Sequence, residues 1–243
     1  MTVVLAIDQS PQLFGAEHLI LLGVTALASV LAVWGIRRIA NDRIRTKIIQ
    51  AAGWILLVIA LFQTIWSVLP GNWNINSALP LHYSDILRFI TAAALIWQVR
   101  WAAAVSYYRG LTLNLQAIVT PHPTMLVGSS MGFLLYWVLH IFVFVAPLVL
   151  VWGTGFRPQW KDFLRTWVLA IGWALFIMPI NAWLGTNYGF VNHQPEGASL
   201  IDWLGPWPIY VLWMVLFAGA LWALMTWPWT RARARDDRNS HGT

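Results

Sequence analysis

HLILLGVTALASVLAVWGI, residues 18–36, is followed directly by Arg37-Arg38. Nineteen residues without Asp, Glu, Lys or Arg are enough to cross the roughly 30 Å hydrocarbon layer as a helix, which takes about 20 residues at 1.5 Å per residue. No basic stretch precedes this segment and no small-residue cleavage site follows it, so a removable signal peptide is not expected. The rest of the chain repeats the pattern. Apolar segments recur at 51–69, 81–99, 101–118, 132–152, 164–184 and 209–227, the second ended by Pro70-Gly71 and the last by Pro228. The segment at 101–118 is the most polar of them. The expected fold is all-α: a polytopic membrane bundle of about seven transmembrane helices. It occupies residues 1–230 as one domain, with a basic tail over 231–243 expected to be unstructured.

Composition agrees. Of 243 residues, 59% are hydrophobic and 10% charged, against about 25% charged in soluble domains. The 18 Trp suit the two lipid–water interfaces, where an amphipathic ring is stable. With no Cys, disulfides, thiolate nucleophiles and Cys-based metal sites are excluded. No Gly-rich phosphate loop, HExxH pattern or internal repeat is present. His82, His122 and His140 lack a metal-ligand spacing, so neither a metal nor another cofactor is expected.

The basic residues orient the bundle. Arg37, Arg38, Arg43, Arg45 and Lys47 follow the first segment, Arg100 the third, and Arg157, Lys161 and Arg165 the fifth. Arg231, Arg233, Arg235 and Arg238 follow the seventh. The intervening loops, 1–17, 70–80, 119–131 and 185–208, contain no Lys or Arg. Cytoplasmic loops retain positive charge, which puts the N-terminus outside and the C-terminus inside a cell membrane. The tail RARARDDR is read as a contact to anionic lipid headgroups rather than to nucleic acid, which leaves membrane lipids as the expected partners.

Arg88 and Arg109 fall inside apolar segments. An intramembrane ionisable residue must face the bundle and find a partner, and it marks a candidate site. Asp85, three residues before Arg88, shares its helical face and can pair with it. His82 and Ser84 stand beside them. The fourth segment adds Arg109, Asn114 and Gln116, the fifth His140, and the sixth Asn181 with Thr186 and Asn187 at its end. All lie at or outside mid-membrane, so a shared polar cavity opening outward is expected. The catalytic candidates are Ser84 as nucleophile, His140 as its base and Asp85. The candidate binding groups are His82, Arg88, Arg109, Asn114, Gln116, Asn181 and Asn187. The guanidinium and amide groups could stabilise an oxyanion or hold a lipid phosphate. Structural roles compete for each: a Ser in a membrane helix often bonds its own backbone, and a lone His often satisfies a neighbouring helix.

Several stretches resemble a known family. They are Leu79-Pro80-Leu81-His82 with Asp85, Thr120-Pro121, the single His140, and Phe14-Gly15 with His18. Longest is Leu184-Gly185-Thr186-Asn187-Tyr188 with Pro195 and Ala198-Ser199-Leu200-Ile201-Asp202-Trp203-Leu204-Gly205-Pro206-Trp207-Pro208. Together they resemble the YwaF-like bacterial integral membrane proteins, relatives of the transmembrane-protein-164-type acyltransferases. The resemblance implies movement of a fatty acyl chain between phospholipids through a cysteine thioester, helped by a histidine. The cysteine position falls at Ser84 and the histidine at His140. Serine is the weaker nucleophile, which counts against acyl transfer and leaves hydrolysis, a different donor or loss of catalysis open. The loop 185–208, with a short interfacial helix over 198–204 carrying Ser199 and Asp202 on its wet face, is either a lid over the cavity or an anchor for the last span. A lipid scramblase or transporter, or a non-catalytic membrane protein, are the other readings. Pro147 and Pro179 favour transport if they break their helices. The apparently apolar inner halves of the segments disfavour it.

Overall fold

In the computed structural model, residues 13–122, 125, 126, 128, 130–195 and 203–240 are described, the side chains of 232–240 excepted. The described residues form helices α1 (Ala16–Arg38), α2 (Asp42–Val68), α3 (Tyr83–Trp97), α4 (Arg100–Gly110), α5 (Leu113–Val119), α6 (Met131–Leu148), α7 (Trp160–Leu184) and α8 (Ile209–Ser240). A π-helical turn, Val149–Gly153, extends α6. With α6 so extended, five helices are long and apolar enough to cross a membrane: α1, α2, α6, α7 and α8. Large apolar side chains, among them Ile20, Val30, Val58, Leu175, Phe176 and Leu224, are exposed on them. On a helix bundle such a surface belongs against hydrocarbon.

The third and fourth apolar segments take a different form. They were expected as two further full-length spans. Instead α3 has 15 residues and α4 has 11, and the fourth segment breaks at Leu111-Thr112 before α5 continues it. Their environment accounts for the shortness. Every residue of α4 from Ala102 to Gly110 is buried. These two helices form the centre of the bundle rather than its lipid face, so they need neither the length nor the uniform apolarity of a span. Ala102, Ala103 and Ala104 let neighbouring backbones approach closely. Gly53 of α2 does the same against α3, where an added Cβ would come within 2.8 Å of Leu95 Cβ. Leu56, Leu87, Leu95, Val105, Leu139 and Val143 fill the core between α2, α3, α4 and α6.

Helix ends follow local chemistry. Asn41 caps α2 by accepting from the Arg43 and Ile44 N–H groups, and Ser130 caps α6 by accepting from Phe133 N–H. Left-handed Gln98 and Gly185 close α3 and α7. Pro228 does not end the last helix as expected. α8 runs on through the basic tail to Ser240, a stretch rich in Arg and Ala, which are strong helix formers. Nor do Pro147 and Pro179 break their helices: α7 passes through Pro179, and α6 continues past Pro147 into the π turn.

The inner half, at the Arg100 end, is more polar than the sequence pattern suggests. Arg100 binds Asp162 through Nε at 3.1 Å and Nη2 at 2.5 Å, tying the α3–α4 elbow to the start of α7. Tyr108 and Thr226 share a hydrogen bond of 2.7 Å, Ser106 donates to Thr91, and Trp229 donates to Tyr107. Each of these hydroxyl groups is satisfied, so the network fastens α4 to α3 and α8 rather than lining a path.

Because the chain lacks Cys, one introduced thiol reports one position. With the N-terminus outside, Ser77→Cys in the loop after α2 reacts with a membrane-impermeant maleimide in intact cells. Arg43→Cys, in the first turn of α2, reacts only after permeabilisation. The reverse pattern would invert the assigned orientation.

Candidate functional site

The outer half is held together by a lattice of buried amides and rings. Asn181, 1% exposed near the end of α7, uses every polar atom. Its Nδ2 donates to the Tyr188 carbonyl (3.0 Å) and to Asn192 Oδ1 (2.9 Å), while its Oδ1 accepts from the Thr186 hydroxyl and Tyr188 N–H. Asn187 similarly pins His193 and Asn192. Asn114 donates to the His140 carbonyl (2.9 Å), joining α5 to α6. Three of the expected binding groups are thus committed to the scaffold. Gln116 lies on the exposed side of α5, away from the cluster it was expected to join.

Tyr188, which the sequence reading passed over, is the latch of this region. It is fully buried, and its hydroxyl donates to the Ile75 carbonyl and accepts from Leu79 N–H. Burial pushes its phenol above the ordinary range, with the nearby Asp85 charge adding to the effect, so it remains a neutral donor. The His82 ring packs edge-on against it at 4.9 Å. His82 Nε2 bonds the Asn76 carbonyl, and Nδ1 accepts a long bond from Gly189 N–H. Gly189 is required: its φ is +70°, and a Cβ there would stand 2.0 Å from Trp173. The expected helix over 198–204, with Ser199 and Asp202, lies largely outside the described residues.

The charged groups follow the expected pairing in part. Arg88 Nη2 lies 3.0 Å from Asp85 Oδ1, while Asp85 Oδ2 accepts from the His82 backbone N–H. Asp85 is thereby occupied at both oxygens and is not hydrogen-bonded to His140, so it does not orient that imidazole. Arg88 also reaches the Thr64 hydroxyl at 3.5 Å. Its Nε has no partner. Arg109, 3% exposed, stands face-on to the Tyr83 ring, with Trp222 at 5.4 Å.

His140 Nδ1 lies 2.7 Å from the Tyr136 carbonyl, one turn back along α6, and its ring rests on Tyr136 at 4.0 Å. A carbonyl only accepts, so Nδ1 carries the proton. Nε2 of the neutral ring is therefore left with its lone pair. Ser84, by contrast, is exposed on the first turn of α3, and no hydrogen bond joins it to His140. The expected facing pair is not made in this structure.

A space of about 640 Å³ lies between α1 and α6 at the basic end, lined by Ser29, Val33, Arg37, Leu148 and Trp152 among others. His18, noted above only as part of a pattern, is structural. Its Nδ1 accepts from Phe14 N–H and its Nε2 donates to the Ile118 carbonyl, fastening α1 to α5.

The sequence matches the TMEM164 family over residues 13–226, and the chain belongs to that family. No curated protein and no solved structure matches it.

Asn181→Ala strands the Tyr188 N–H and the Thr186 hydroxyl in a dry interior. At about 1–3 kcal/mol per orphaned buried group, a loss of about 2–4 kcal/mol is expected, read as a lowered midpoint of thermal unfolding in detergent. Asn187→Ala, in a half-exposed turn, costs about 1 kcal/mol or less.

Proposed function

We propose that this TMEM164-family membrane protein is an enzyme of the outer leaflet of the cell membrane, acting on phospholipid acyl esters with His140 as general base and Ser84 as nucleophile. This reading places it beside the bacterial YwaF-like proteins. The observation that carries it is the state of His140. Its ring is held in one tautomer by the Tyr136 carbonyl and clamped against the Tyr136 ring, with Nε2 left as an acceptor inside the membrane bundle. An imidazole serving only as structural glue uses both nitrogens, as His18 does. His140 uses one.

In the first step, Ser84 Oγ attacks the ester carbonyl and Nε2 takes its proton. The tetrahedral intermediate collapses, and the same proton passes to the departing lipid alkoxide, leaving an acyl-serine and a lysolipid. A second lipid hydroxyl, or water, then attacks the acyl-serine with Nε2 again accepting the proton, and Ser84 is restored. Ser84 and His140 must come within hydrogen-bond reach when lipid is bound. Catalytic hydrogen bonds are commonly long without substrate and tighten in the complex. The exposed position of Ser84 on the first turn of α3 suits a group that meets an ester arriving from the interface.

A fluorophosphonate probe applied to the purified protein should form an adduct that peptide mass spectrometry maps to Ser84. Ser84→Ala and His140→Ala should each reduce acyl release from a labelled phospholipid by about 100-fold or more. Turnover unchanged in Ser84→Ala would remove the nucleophile. Unchanged in both, it would remove the enzyme reading.

A further inference from the structure

We infer that the guanidinium of Arg109 is the floor of a binding site for a phosphate oxyanion, supplied by the headgroup of a membrane phospholipid. The inference deepens the reading of the outer half as a lipid site, but it rests on a separate observation. Arg109 is 3% exposed, and among the described residues no carboxylate lies within ion-pair distance of it. Its Nε has no hydrogen-bond partner. Among the described carboxylates, Asp85 is paired with Arg88 and Asp162 with Arg100. Glu17 and Asp42 are exposed on α1 and α2.

An arginine does not escape by losing its proton, since its guanidinium stays charged in proteins. Isolating such a charge in a dry interior costs several kcal/mol. The Tyr83 and Trp222 rings return only part of that cost through their faces. Rings stabilise the charge from their faces. They leave the Nε–H, in the guanidinium plane, without an acceptor, and the edge of a guanidinium matches an oxyanion with two N–H groups at a time.

A second orphan points the same way. The indole Nε1 of Trp173 is buried and has no acceptor. Trp173 packs edge-on against Tyr83 at 4.9 Å, so the ring that covers Arg109 also touches the other unpartnered donor. Two buried donors around one aromatic ring, Arg109 Nε and Trp173 Nε1, have no acceptor among the described residues and call for one from outside the chain. A phosphate has several oxygens, carries the missing negative charge, and is abundant at the membrane surface from which α3 descends.

The test uses the full chain purified in a neutral maltoside detergent, with thermal unfolding as the readout, so it does not depend on turnover. Phosphatidylglycerol, diacylglycerol and inorganic phosphate are added separately to the wild type, Arg109→Gln, Arg109→Lys and Arg43→Gln. Phosphatidylglycerol at about 100 times its Kd should raise the wild-type midpoint by about 5 °C or more, with diacylglycerol giving no rise. The rise should vanish in Arg109→Gln, shrink in Arg109→Lys, which keeps the charge but loses the fork, and persist in Arg43→Gln, which controls for surface attraction to an anionic lipid. A rise with inorganic phosphate alone that also depends on Arg109 would overturn the headgroup as source while keeping the oxyanion site. An undiminished rise in Arg109→Gln, or no rise with either phosphate compound, overturns the site. Loss of this binding with acyl turnover intact would leave the Ser84–His140 reading standing, and the converse result would leave the phosphate site.

Discussion

Two carboxylates, the half-buried Asp85 and the buried Asp162, are used in the same way, and the architecture depends on it. Each is the third residue of a helix. Each accepts from the backbone N–H of the residue that caps that helix, His82 and Gln159, at 3.0 Å. Each also pairs with an arginine, Arg88 or Arg100. A carboxylate at a helix start is favoured by the exposed N–H groups and the helix dipole, and its second oxygen is free to hold a cation. One pair sets the outer end of α3 and the other locks the α3–α4 elbow to α7. Around these fixed points the short central helices can be polar while the outer five face hydrocarbon.

Much of this was legible in the sequence because hydrocarbon tolerates so little. Five of the seven apolar segments became helices long enough to span, and the Asp85–Arg88 spacing announced its ion pair. The segment at 101–118 was harder. Its alanines, tyrosines and Arg109 read as a weak span, when they are the signature of a helix that touches only other helices. The local mark of the break at Leu111-Thr112 is Gly110, the last residue of α4, a residue type that is weak in a helix interior.

The candidate residues divided according to chemistry that a one-dimensional reading does not weigh. An amide carries both donors and acceptors and closes on the backbone around it, so Asn114, Asn181 and Asn187 became fasteners. Tyr188 was missed because a tyrosine in a Gly-rich loop gives no periodic signal, and its partners Ile75 and Leu79 are more than 100 residues away in sequence. Ser84 and His140 were singled out by depth and by resemblance, and depth does not fix rotation about a helix axis. That rotation leaves Ser84 exposed and turns the imidazole of His140 back onto its own helix through Nδ1.

Charge counting within the bundle takes the matter one step further. Asp85 and Asp162 balance Arg88 and Arg100, and their capping bonds hold both carboxylates at their own helix ends. Neither can swing to Arg109 without uncapping α3 or α7. Among the described residues, the unpaired positive charge at Arg109 therefore follows from how the two carboxylates are held. The surrounding rigidity sharpens the point. Gly189 packs against Trp173, the indole that sits edge-on to Tyr83, the ring facing Arg109. A scaffold that holds one cation dry, ringed by aromatic faces and by donors without acceptors, is complete only when an anion is bound.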